Sequence, residues 1–473
     1  MPNPGPLLTL QTMRILTVVA ALLLLAPGVA VIAADESAAA TERYLRLMTE
    51  GRNAEAIAAA QEVLTLTQQE FGASSIEVAA PLINLATAQL RNGDLRDAEA
   101  NYRAAISLLE LRDGYLSLRL ANPLVGLGET LVRSEQYVLA TEAYERALRV
   151  NHVNEGFYNL EQMPIRDGLT EGYLGQQNLE KANFHQEAEA YTQQRKLGKD
   201  NLEFVAALEK LGRWYDRTNQ TESARLAYQN AARVVEKARG EDSPELIDPL
   251  LAIAETYRQQ ALLPPEPDST QSAETLLPMS SMMLRKALAI VQAEEPPDPA
   301  QRARILVRLG DLYLMWDKRN TASARYQEAW QALSADPGLV TQRDDYFSQP
   351  VRIMGPMLPA IYPPPKRNAA PVQTKDLEPG FVVVRYGVNQ LGRVTDASVI
   401  EADPANLLEE VVTRTASLTL FRPRYVDGAP VDTSGLILRH EFRCAPKKIE
   451  SREAKPADDD SKPLEQPTSG PGA

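Results

Sequence analysis

Ala98-Glu99-Ala100-Asn101-Tyr102-Arg103-Ala104-Ala105 and Ala140-Thr141-Glu142-Ala143-Tyr144-Glu145-Arg146-Ala147 are one pattern written twice, a small residue, an aromatic four later and a small residue three beyond. The copies lie 42 residues apart. Positions i, i+4 and i+7 share one face of an α-helix. The triplets Ala98, Tyr102, Ala105 and Ala140, Tyr144, Ala147 therefore predict helices that let a neighbour approach closely and fill the remaining gap with a ring.

The same step of 42 reaches Ala56, Ala60, Val63 upstream, then Ala182, Gln186, Glu189 and Ala224, Tyr228, Ala231 downstream. The next step falls among the prolines of Leu262–Thr270, which helix interiors exclude. Allowing 14 inserted residues restores the register at Ser280, Leu284, Ala287 and then at Ala322, Tyr326, Ala329. A second signature precedes the triplets by thirteen and twelve residues: Leu85-Ala86, Leu127-Gly128, Leu169-Thr170, Leu211-Gly212, Ile253-Ala254 and Leu309-Gly310. Tyr173, Tyr215, Tyr257 and Tyr313 follow it at helical spacing. The expectation is about seven helix pairs over residues 36–335, with an insertion at about 262–275, and tyrosines that serve packing. The degenerate fourth unit, Asn151–Gly198, and the insertion mark places for the superhelix to bend or expose a loop, and each is read as a binding feature or, in preference, as ordinary drift.

Leu-Gly-x2-Tyr on one helix and Ala-x3-Tyr-x2-Ala on the next resemble the tetratricopeptide repeat. Its usual period is about 34 residues, so 42 adds roughly one turn to each helix. That is similar to the long-helix repeats of kinesin light chains. The resemblance implies an α-α superhelix that binds protein partners.

After Ala335, seven prolines from Pro337 to Pro365 predict an extended linker over 336–379. Phe381–Val388 then reads as a strand, Asn389–Gly392 as a turn and Arg393–Ile400 as a second strand. Asp403 and Pro404 are expected to cap a short helix carrying Leu407, Leu408, Val411 and Val412. A last strand places Leu436, Leu438, His440 and Phe442 on one face. The expected fold class is mainly α, a superhelical solenoid followed by a small α+β module of order β-β-α-β.

Tyr362-Pro363, Phe381-Val-Val-Val384, Gly392-Arg393-Val394-Thr395, Asp403–Val411 and Phe421-Arg422-Pro423 resemble, in order, the TonB C-terminal domain over about 360–443. The resemblance implies a periplasmic module that pairs a sheet edge with a peptide from an outer-membrane protein. The edge it points to is Gly435, Leu436, Ile437, Leu438, Arg439, His440, Glu441, Phe442 and Arg443.

Arg14, the apolar run Ile15–Ala26 and the small residues Val29–Ala34 have the layout of a secretory signal peptide over 1–34. The expected location is the periplasm. The rival is an uncleaved anchor, since Ile15–Ala34 could just span a bilayer. That rival makes the chain a membrane-anchored energy transducer for outer-membrane transport, yet no histidine precedes His152. The tail 445–473 has the composition of a disordered segment.

A net charge of −13 argues against nucleic acid as a partner. Cys444 stands alone, so no internal disulfide can form. His152, His185 and His440 show no metal or triad spacing, and no phosphate-binding loop or nucleophile elbow occurs. The expectation is a non-enzymatic scaffold without cofactor or metal, whose partners are envelope or outer-membrane proteins. Membrane contact is expected only if the N-terminal segment stays attached.

Overall fold

The computed structural model describes residues 29–263, 272–362 and 377–444, with side chains from residue 36 onward. The predicted signal peptide and tail lie almost wholly outside the described residues, as does most of the 262–275 insertion. The chain divides into two compact units, Met1–Gln260 and Ala261–Ala473. The boundary between the units falls at the insertion, so the last repeat helices share a unit with the strands.

The first unit is helical throughout: α1 (Val29–Thr49), α2 (Asn53–Phe71), α3 (Ala79–Asn92), α4 (Leu95–Asp113), α5 (Ala121–Arg133), α6 (Tyr137–Glu155), α7 (Met163–Gly175), α8 (Leu179–Leu197), α9 (Val205–Arg217), α10 (Thr221–Arg239) and α11 (Ile247–Ala261). From α2 to α10 the even-numbered helices begin 42 residues apart, and so do the odd-numbered ones from α3 to α11. Gly72, Gly114, Gly156, Gly198 and Gly240 end the even-numbered helices at φ between 80° and 96°, where a side chain would be strained. The chain then turns through one 3-10 turn into the next helix.

The triplet residues do what small-aromatic-small spacing implies. Ala98, Ala105, Ala140, Ala147, Ala224, Ala231 and Ala329 have no exposed surface and Ala322 only 1%, and Tyr102, Tyr144, Tyr228 and Tyr326 are buried between them. Each ring lies on a glycine of the preceding helix or of the helix one repeat on. A Cβ at Gly126 would meet the Tyr102 ring at 2.3 Å, one at Gly128 or Gly168 the Tyr144 ring at 2.7 or 2.2 Å, and one at Gly212 the Tyr228 ring at 2.4 Å. Leu-Gly and Ala-x3-Tyr are thus two halves of one contact, a ring in the hollow that a missing Cβ leaves.

The second unit holds α12 (Ala273–Ala293), α13 (Pro299–Met315), α14 (Arg319–Ser334) and α15 (Val340–Phe347). Asp298 caps α13, its carboxylate accepting from the Ala300 and Gln301 amides at 2.8 and 3.2 Å. Strands follow: β1 (Val351–Met354), β2 (Ile361–Tyr362), β3 (Glu378–Val388) and β4 (Val394–Asp403), then α16 (Glu409–Leu418), β5 (Leu420–Arg422), β6 (Arg424–Val426), β7 (Ala429–Val431) and β8 (Thr433–Cys444). The main sheet has the order β2-β8-β3-β4, antiparallel except for the parallel β2–β8 pair. One face of it packs Val382, Val384 and Phe442 against Leu408, Val412 and Ala416 at α16. Asp427 and Gly428, at φ 50° and 78°, make the tight turn joining β6 to β7.

Two expectations are corrected here. The described residues of the span 336–379 are not an extended linker, because α15, β1 and β2 lie inside it and β1 pairs with β5 while β2 pairs with β8. Asp403 does not cap a helix, because β4 runs through it. The Glu409 carboxylate does that work, accepting from the amides of Asn406, Leu407 and Leu408.

Arg422 joins the strands to the helices of this unit. Its side chain is 7% exposed, and its guanidinium donates twice to the Asp311 carboxylate of α13 at 2.9 Å and once to the Tyr346 carbonyl at 2.9 Å. The Tyr326 hydroxyl donates to the same carboxylate at 2.7 Å. Tyr326, Phe347 and Tyr425 meet edge to face or tilted, with centroids 5.1–6.3 Å apart. The ring that packs against the next repeat elsewhere packs here against the strands, which cap the final helix pair as terminal repeats require.

Candidate protein-binding surfaces

The fourth repeat departs from the other repeats of the first unit in a coordinated way. Gln162 stands where 42-residue steps place Val78, Leu120, Phe204 and Leu246, and Arg166 where they place Leu82, Leu124, Leu208 and Leu250. His185 replaces Ala143 and Ala227, Gln186 replaces a tyrosine, Glu189 an alanine, Thr170 a glycine, and Lys210 of the next helix takes the place of Gly126 and Gly168. The hollow that holds a ring elsewhere is filled by hydrogen bonds. Gln186 Nε2 donates to Asp167 Oδ1 at 3.0 Å and Thr170 Oγ1 at 3.1 Å. Lys210 Nζ reaches both oxygens of Asp167 and of Glu189 at 2.7–2.9 Å.

A second branch fixes the loop between α6 and α7. The Gln162 amide donates to the Phe157 and Asn159 carbonyls at 2.7 and 2.8 Å. Its oxygen accepts from Arg166 Nε at 2.6 Å and lies 3.2 Å from His152 Nε2. Arg166 Nη1 lies 3.5 Å from His185 Nδ1, and His185 stacks on Tyr173 at 5.6 Å. Burial first, and the Arg166 charge second, hold His185 down at about 4. Burial raises Glu189, and burial with the bond to Glu145 pushes the Tyr173 hydroxyl up to about 12.

Exposed apolar residues concentrate beside this network and repeat with it. Leu111, Tyr115, Leu116 and Leu118 recur one unit later as Val153, Phe157, Tyr158 and Leu160, all exposed. The step before gives Gln69, Ala73, Ser74 and Ile76, and the step after gives Arg195, Lys199, Asp200 and Leu202, so the strip is strong in two units. Two grooves in equivalent positions adjoin the strip, through Arg146 beside Tyr115 and His152 beside Phe157. One, of ≈ 390 Å³, is walled by α4 and α6 over a floor of Leu124, Leu127 and Leu131. The other, of ≈ 340 Å³, is walled by α6 and α8 with Tyr173 at its base and Phe184 at its mouth.

The expected strand-addition edge, Gly435–Arg443, lies in β8. One side of it pairs with β3, from Tyr386↔Leu436 to Pro379↔Arg443. The other side is partly taken: the Arg443 amide donates to the Ala360 carbonyl at 2.8 Å, β2 pairs with Arg443 and Cys444, and His440 Nε2 lies 3.0 Å from the Pro359 carbonyl. Among the described residues, the stretch Gly435–Glu441 has no strand on that side, and neither does the outer side of β4. Cys444 is buried, and no cluster of three or more metal-ligating side chains occurs among the described residues. No described helix is long and apolar enough to cross a membrane.

The triplets mark packing positions. They do not mark the exposed strip or the polar repeat, which appear only when the repeats are set column by column.

Solved structures similar to the chain include TPR-like repeats of a Podosopora anserina kinesin light chain (15% identity, 43% of this chain and 97% of that one, TM-score 0.38). Others are the C-terminal part of a TPR repeat-containing protein from Cytophaga hutchinsonii (13% identity, 64% and 98%, TM-score 0.40) and BtubC from P. vanneervenii (19% identity, 67% and 96%, TM-score 0.25). No curated protein matches the sequence. The tetratricopeptide repeat family matches residues 47–111. The chain therefore carries tetratricopeptide repeats in a mainly helical solenoid, followed by a β-rich C-terminal region.

Proposed function

We propose that this chain is a non-enzymatic protein-binding scaffold of the periplasm, whose repeats hold one protein while a TonB-like C-terminal module captures another by strand addition. The observation that carries the reading is the exposed strip Val153, Phe157, Tyr158, Leu160 and its copy one repeat earlier. Solvent-exposed aromatics held rigidly in a row are what a protein partner covers. Tetratricopeptide repeats act as protein-interaction scaffolds, which supports the same reading. The sheet strands β3, β4 and β8 with α16 packed on them, and the open stretch Gly435–Glu441, support the TonB-like part, even though β5, β6 and β7 intervene between α16 and β8 where the sequence predicts a plain β-β-α-β order. The three-part N-terminus supports export.

Quantitative co-purification from the native envelope tests the scaffold. Proteins recovered with the wild type should be depleted by Phe157→Ser with Tyr158→Ser, and an unchanged recovery overturns the strip as the binding surface. Sequencing of the mature N-terminus tests export: a start at Ala34 or Asp35 supports the periplasmic protein, and an intact Met1 supports the anchored transducer.

A further inference from the structure

The two equivalent grooves differ in how their charges are met. In the earlier one, Arg103 pairs with Glu99 at 2.9 Å and Arg146 pairs with Glu110. One repeat later His152 stands where Glu110 would be. Arg149 and Lys181 line this groove, and among the described residues neither stands in an ion pair. Lys181 Nζ lies 4.8 Å over the Tyr173 ring. The one carboxylate in the lining, Glu145, is occupied by the Tyr173 hydroxyl. Directly behind the wall, Arg166 is 7% exposed and bonded only to neutral partners, Gln162 and His185.

A guanidinium withdrawn from water with no carboxylate bonded to it, the Glu189 charge reaching it only through space, is costly, and the low dielectric around it strengthens its attraction for an incoming anion. Four other repeats keep leucine at this position, so packing does not demand the charge. On a chain of net charge −13, an electropositive pocket is also a local reversal of sign. Its mouth continues into an apolar surface: the Phe157 ring lies 4.9 Å from His152, and Tyr158 sits 6.1 Å from Tyr191.

We propose that this pocket receives a glutamate or aspartate side chain from an acidic peptide segment of a partner protein, with flanking apolar residues of that segment lying on Phe157, Tyr158 and Phe184. The carboxylate meets Arg149 and Lys181 at the mouth and the field of Arg166 behind. The proposal rests on the protein-binding reading and adds the chemistry of the partner.

The test titrates the full chain with fluorescein-labelled synthetic peptides of about twelve residues, alternating Leu or Phe with Glu, against a counterpart carrying Lys for every Glu. The acidic peptide should bind at least about tenfold more tightly, and Arg149→Glu with Lys181→Glu, both at exposed positions, should invert the order. Arg166→Leu restores the residue of the other repeats, so it should fold and still weaken the acidic peptide. Equal binding of the two peptides, or a preference that survives the double reversal, overturns the proposal. Full competition by excess free glutamate or phosphate also overturns it, since the site would then take a small anion. Envelope partners that co-purify through Phe157 and Tyr158 while the peptides fail would leave the scaffold reading standing and remove this one.

Discussion

Arg422→Ala should unfasten the β-rich region from the last helix pair. The substitution removes three hydrogen bonds made by a side chain that is 7% exposed and leaves Asp311, with a side chain 20% exposed, bonded to the Tyr326 hydroxyl without its cation. It also empties the space beside the rings of Tyr326, Tyr346 and Phe347, which the guanidinium approaches at 5.7–6.0 Å. Breaking a buried pair from one side costs about 3–5 kcal/mol. In a unit of this size that corresponds to a fall of roughly 10 °C in melting temperature. Calorimetry of the full chain resolves the effect, and hydrogen exchange should place it in α13, α14 and β5. The double variant Asp311→Leu with Arg422→Met should recover most of the loss, because it leaves no charge uncompensated. A loss below about 1 kcal/mol for the single variant, or a double variant no better than the single, refutes the reasoning.

Tyr228→Ala should cost on the order of 3 kcal/mol, seen as an earlier melt of the first unit, because it empties the hollow over Gly212 and orphans the 2.7 Å bond to Asp216. Gln186→Tyr alone should destabilise by about 1–3 kcal/mol through overpacking against Thr170 and Lys210. Adding Thr170→Gly, Lys210→Gly and Glu189→Ala, which together restore the residues of the other repeats and leave no buried carboxylate unpaired, should recover stability, as a denaturant midpoint would show. His185 is held near 4 in the fold against an ordinary value of 6.5. Its neutral form is therefore favoured on folding, a contribution intact above pH 6.5 and lost as the pH falls toward 4. His185→Ala should flatten that acid limb in melting profiles taken across the range.

The period of the first unit was legible because Ala-x3-Tyr-x2-Ala and Leu-Gly are separated by a constant distance, and both halves of a ring-in-hollow contact must be kept for either to pack. The strands β3, β4 and β8 were legible from alternation and turn residues. What the chain hid was contact at long range. Proline density between Pro337 and Pro365 reads as an extended segment, yet β1 and β2 lie within it because their partners, β5 and β8, come some 70 to 80 residues later. Phe421-Arg422-Pro423 reads as a family signature, while its arginine bonds to Asp311, 111 residues earlier. The fourth repeat reads as drift from Gln186 and Glu189 alone. Its coordination emerges only when Gln162, Arg166, Thr170, His185 and Lys210 are compared with their counterparts in the neighbouring repeats.

Site-specific photo-crosslinking in the intact envelope tests the central claim most directly, with the reactive residue placed at Phe157 on the exposed strip, at Ile437 on the open stretch of β8, and at Leu226 as an exposed control outside both. The account predicts discrete protein adducts from positions 157 and 437, different from each other and missing at 226. Adducts that are the same from all three positions, or none from 157 and 437, would contradict a scaffold with two protein-binding surfaces.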